Sequence, residues 1–138
     1  MFYCELLSGI WIGDTDILSN INFIKDNNIS IILNCTQLFE FPNYNGIQRV
    51  RIPFSPVRDS NEDIYLLRNN RVKILTFLKD NIETNNILIS CYDGKSISPF
   101  IVALFMSQES SINKSSIYDI LLTKNKDLNL WCDLTLFD

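Results

Sequence analysis

Asn86-Ile87-Leu88-Ile89-Ser90-Cys91-Tyr92-Asp93-Gly94-Lys95-Ser96-Ile97-Ser98-Pro99 opens on an apolar run and ends on a proline that introduces a second one, Phe100 to Met106. The first run has the pattern of a strand buried on both faces of a largely parallel sheet. Pro99 suits the first turn of a helix, where its missing amide costs nothing. A strand, a tight loop and a buried helix follow one another, and the backbone amides of such a loop can point at a bound anion. Cys91 precedes the helix N-terminus, a place that favours its thiolate and hence its nucleophilic form. The other reading of Cys91 is a small buried hydrophobe at the end of a strand.

Working outward, Ile29-Ser30-Ile31-Ile32-Leu33-Asn34 is a second buried strand of the same kind. Ile10 to Gly13 reads as a short edge strand, and Asp14 or Asp16 caps a helix from about Ile17 to Asn27 with Ile17, Ile21 and Ile24 on one face. Pro42 to Gly46 marks a turn and Ile47 to Phe54 a further strand. Pro53 and Pro56 then hold an extended loop that ends at Asp59-Ser60. Ser60-Asn61-Glu62-Asp63 has the form of a capping box and opens a helical pattern through Ile64, Leu67, Val72, Leu75 and Leu78. Ser115 or Ser116 caps a last helix carrying Ile117, Ile120 and Leu121, and Leu130, Trp131, Leu134 and Phe137 pad the same core.

Strands alternating with helices give an α/β fold class, a central mostly parallel sheet flanked by helices. Ligands of such folds gather at the carboxyl ends of the strands. The 138 residues suffice for one sizeable core, so the expected organisation is a single domain over residues 1–138.

The formal net charge of −4 argues against a broad basic surface for nucleic acid or an anionic membrane. No signal-peptide pattern and no apolar run of membrane-spanning length occurs, which leads to the expectation of a soluble, intracellular protein. Cys4, Cys35, Cys91 and Cys132 are far apart and the chain has no histidine, so neither structural disulfides nor a metal or other cofactor is expected. Isoleucine and asparagine are frequent, the pattern of coding DNA rich in A and T found in some protists and large DNA viruses.

At the loop, the sequence resembles the cysteine-based protein phosphatases, whose signature is His-Cys-x-x-Gly-x-x-Arg-Ser between a strand and a helix. Cys91, Gly94, Ser96, Ser98 and Pro99 match it, whereas Ser90 replaces the histidine and Ile97 the arginine. Leu7 to Asp14 is similar to the family's opening strand, Ile29 to Thr36 to its Ile-x-x-Ile-Leu-Asn strand, and Val50 to Leu67 to its acid-loop region. The resemblance implies the fold of the dual-specificity subfamily over nearly the whole chain. It implies a phosphate loop of Ser90, Cys91, Tyr92, Asp93, Gly94, Lys95, Ser96 and Ile97, with Cys91 as nucleophile, Asp59 as general acid and Ser98 as the hydroxyl that helps the cysteine leave. Capping a helix is the alternative reading of both Asp59 and Ser98.

The family arginine grips two phosphate oxygens with its planar fork, and Ile97 offers no donor at all. Losing one preorganised donor costs about 10² to 10³ in rate. Without histidine and arginine the Cys91 thiolate is also less stabilised. Lys95 occupies a position that is lysine in some phosphoinositide phosphatases, where it could restore positive charge, with Asp93 cancelling part of it. A nucleotide-binding loop would need glycine where Ile89 stands.

The leading expectation is therefore a pseudophosphatase, a module that binds a protein partner or a phosphorylated segment. The alternative is a slow cysteine phosphatase using Cys91 and Asp59, with Lys95, Arg49, Arg51 or Arg58 supplying charge. A third reading is a structural component of a virus particle.

Overall fold

The computed structural model describes residues 1–58 and 60–137. Its centre is a five-stranded sheet formed by β1 (Tyr3–Leu7), β2 (Ile10–Gly13), β3 (Ile29–Asn34), β4 (Gln48–Arg51) and β5 (Asn86–Ser90). The strand order is β1-β2-β5-β3-β4. β1 pairs antiparallel with β2, and the remaining pairs are parallel. The two apolar runs, β3 and β5, lie side by side in the middle, where both faces are covered.

Successive side chains of a strand point to opposite faces. Ile10, Ile12, Ile31, Leu33, Ile87 and Ile89 accordingly enter the larger core cluster, together with helices α3 (Asn61–Asn81), α4 (Ile97–Glu109) and α5 (Lys114–Lys124). Ile32 and Leu88 turn the other way, towards α1 (Thr15–Leu18), α2 (Ile21–Asp26) and Ile47, with Phe41 and Tyr44 packed against them. α4 is buried without interruption from Ile97 to Phe105, as expected of a helix apolar on every side. Phe100 meets Trp131 and Phe137, and Trp131 meets Phe54, with ring centroids 5.4–5.5 Å apart in edge-on packing, which ties the C-terminal tail to α4. No helix among the described residues is long and apolar enough to cross a membrane.

Several sequence expectations are corrected. The helix expected from Ile17 to Asn27 is two short helices, because the Ser19 hydroxyl turns back to Thr15 O and Asp16 O while Asn20 caps α2, accepting from Phe23 N at 3.0 Å. Ile21 is exposed as a result, and Phe23 takes the buried place beside Ile24. The strand expected from Ile47 to Phe54 spans only Gln48–Arg51. Ile52 N adds one more rung to Asn34 O, after which Pro53 has no amide to give. Val72 faces solvent and Ile74 the core. α5 is capped by Asn113, which accepts from Ser116 N at 2.9 Å, rather than by Ser115 or Ser116.

Candidate functional site

Three parallel strand ends converge where the loop begins. Cys91 N donates to Gly13 O at 3.1 Å and Cys35 N to Ser90 O at 2.8 Å, so the loop starts from the carboxyl edge of β2, β5 and β3. The Ser90 hydroxyl, buried, donates to Asp14 O at 3.0 Å and pins the loop to the start of α1.

Gly94 is required by both conformation and space. Its φ is +72°, and a Cβ there would lie 2.7 Å from Gly13 C and 2.8 Å from Asp14 N and Phe2 Cδ2. Phe2 in turn carries Lys95, whose Nζ lies 5.1 Å from its ring centroid. The ammonium expected to restore charge at a bound anion is thus engaged with an aromatic ring on the N-terminal segment.

Cys91 is fully buried. Its Sγ accepts from Ser98 N at 3.4 Å and donates to Asp93 Oδ1 at 3.7 Å. Ser98 is the second residue of α4 rather than its cap, and its buried hydroxyl makes no hydrogen bond of good geometry, although it lies close enough to favour the thiolate. Burial pushes the Cys91 thiol above its ordinary value. The Ser98 hydroxyl and N–H pull it down, and the Asp93 carboxylate pushes it up again. Cys35 follows directly after β3, its N–H bonded to Ser90 O, and is raised well above the ordinary thiol value by burial and by Cys91.

The loop amides have an internal partner. Asp93 Oδ1 accepts from Lys95 N at 2.9 Å, Ser96 N at 3.2 Å and Ser96 Oγ at 3.0 Å. Cys91 Sγ lies 3.7 Å from the same oxygen, so the thiol and three loop donors converge on one carboxylate oxygen. The sequence reading places Asp93 in the phosphate loop as a charge offsetting Lys95, not as a partner of the loop amides. The available signal was an aspartate two and three residues before amides at a helix start, the spacing of a local side-chain-to-backbone turn.

Ile97, at the position of the arginine, is buried in the core cluster. With Asp93, Ser96, Tyr92, Trp131, Val57 and Arg58 it lines a cleft of about 140 Å³. Tyr92 closes one side: its hydroxyl donates to Phe54 O at 2.7 Å and accepts from Gln37 N at 3.2 Å. Of the arginines considered as substitutes, only Arg58 reaches the cleft, and its Nη2 is bonded to Asn129 Oδ1 and Leu130 O. Arg49 is held by Pro42 O and Tyr44 O, and Arg51 by Thr36 O and Phe39 O, on the opposite side of β4. Asp59, the candidate acid, lies outside the described residues. No group of three or more histidine, cysteine, aspartate or glutamate residues able to hold a metal ion occurs among the described residues.

No family model matches the sequence, and no curated protein matches it. Solved structures do. The human tyrosine phosphatase-like serine/threonine/tyrosine-interacting protein aligns with a TM-score of 0.79 at 12% identity, over 98% of this chain and 90% of its own. DUSP15 aligns with a TM-score of 0.79 at 16% identity, over 93% and 79%. Human DUSP28 aligns with a TM-score of 0.78 at 8% identity, over 93% and 84%. With strand, loop and buried helix in their expected places, the chain has the dual-specificity phosphatase fold.

Proposed function

We propose that this chain is a pseudophosphatase, a non-catalytic module that binds a protein partner and whose phosphate loop is filled from within. One observation carries this reading: Asp93 Oδ1 takes the amides of Lys95 and Ser96 at 2.9 and 3.2 Å. An entering phosphate must displace that carboxylate, and Ile97 offers no fork to repay the exchange. The raised Cys91 thiol supports the same reading, because a protonated thiol is a poor nucleophile. In this reading Cys91, Ser98 and Asp59 are vestiges of a nucleophile, a hydroxyl aid and an acid, and no cofactor is involved. A reducing intracellular compartment suits a chain in which no disulfide joins the cysteines among the described residues.

A slow cysteine phosphatase is favoured by one feature, Ser98 N donating to Cys91 Sγ, which would assist a thiolate. Hydrolysis of p-nitrophenyl phosphate separates the two. We expect no turnover by the native chain and none by Cys91→Ser. Turnover that the native chain has and Cys91→Ser lacks would establish the enzyme.

A further inference from the structure

We propose that the groove between β4 and α3 docks an extended, acidic segment of a partner protein, which adds as a strand to the open edge of β4. This inference gives the non-catalytic reading a surface, yet the groove is separate from Cys91, so peptide binding and hydrolysis can fail independently.

β4 ends the sheet, with β3 on one side and no strand on the other among the described residues. Ile52 N donates to Asn34 O. Alternation along a parallel strand therefore turns the N–H and C=O groups of Val50 towards β3 and leaves those of Arg49 and Arg51 facing outward. Gln48, Arg49 and Arg51 are exposed, which agrees with an uncovered edge. Beside this edge lies a groove of about 440 Å³, walled by Val50, Pro53, Leu66, Ile74 and Phe77, with Lys73 at its rim. Added strands bind by such main-chain donors and select by pockets for alternate side chains.

The charges decide what kind of strand fits. No acidic side chain among the described residues lines the groove. Lys73 is exposed and has no hydrogen-bond or ion-pair partner among the described residues. The guanidiniums of Arg49 and Arg51 rest on neutral carbonyls across the other face of β4, and neither pairs with a carboxylate among the described residues. A strand laid on this edge points alternate residues into the apolar groove and the rest towards the two arginines. Apolar residues alternating with aspartate or glutamate satisfy both sides. Short, charged edges also keep sheets from pairing with copies of themselves. The same arginines that repel a second β4 attract a segment of opposite sign.

The test titrates the full chain with a decapeptide of alternating valine and glutamate, and with its valine–lysine counterpart, reading fluorescence anisotropy and amide chemical shifts. Saturable binding of the glutamate peptide alone is expected, with the amides of Arg49 and Arg51 shifting most. Lys73→Glu, at a side chain that bonds to nothing described, should weaken binding roughly fivefold. The proposal is overturned by equal binding of both peptides, by no binding, or by shifts centred on residues 91–97. Dimerisation through β4 without peptide, seen in sedimentation, would overturn it as well.

Discussion

The carboxylate of Asp93 and the amides of Lys95 and Ser96 close a hydrogen-bonded turn, and that turn costs the loop two of its free donors. The residue pattern of the loop was legible, because Cys91, Gly94, Ser98 and Pro99 keep their spacing between a strand and a helix. What could not be read was the direction of two side chains. Asp93 turns back onto the loop's own amides, and Lys95 lies over Phe2, which is distant in sequence and offers its ring to the ammonium. Gly94 permits this arrangement, and two of the atoms a Cβ there would strike, Gly13 C and Asp14 N, are backbone atoms that cannot give way. We expect Gly94→Ala to lose at least about 2 kcal/mol, from strain at positive φ together with the clash. An unchanged urea midpoint would show that the loop can move away.

At the scale of elements, the central strands were the easiest to find, since burial on both faces leaves an unbroken apolar run. Helix boundaries were harder. Ser19 ends one helix and Asn20 caps the next through side-chain bonds, and a hydrophobic period cannot register that. The start of α3 illustrates a different limit. Ser60 caps it as its sequence suggests, but Asp63 does not reach back to close the box. It is buried, and its carboxylate accepts from Ser55 N at 3.0 Å and Ser55 Oγ at 2.6 Å. That pair anchors the proline-rich loop to the helix. Asp63→Ala should cost about 1–3 kcal/mol, since it leaves the Ser55 amide without its partner. Hydrogen exchange should show faster opening of residues 52–58; if their protection does not change, the loop is held by other contacts.

For the whole molecule, the layers follow from where apolar residues fall, and that placing tolerates almost any choice among isoleucine, leucine and valine. That tolerance lets identities of 8–16% accompany TM-scores near 0.8. The adjacent thiols of Cys35 and Cys91 add a global consequence. Both have folded pKa values above the unfolded value of about 8.5, so the native state keeps protons that the unfolded chain has lost. Stability is unaffected below that pH and falls as pH rises through it towards the folded values. We expect the Tm to decline above about pH 8.5, and to decline less steeply in Cys35→Ala. Parallel declines in the two proteins would remove Cys35 from the explanation.

The self-filled loop is tested most directly by calorimetry with tungstate, an oxyanion that needs no chemistry to bind. The native chain should release no binding heat, Ile97→Arg should bind weakly because Asp93 still holds the amides, and Asp93→Ala/Ile97→Arg should bind saturably. Saturable binding of micromolar tungstate by the native chain would contradict the claim that Asp93 occupies the anion's place.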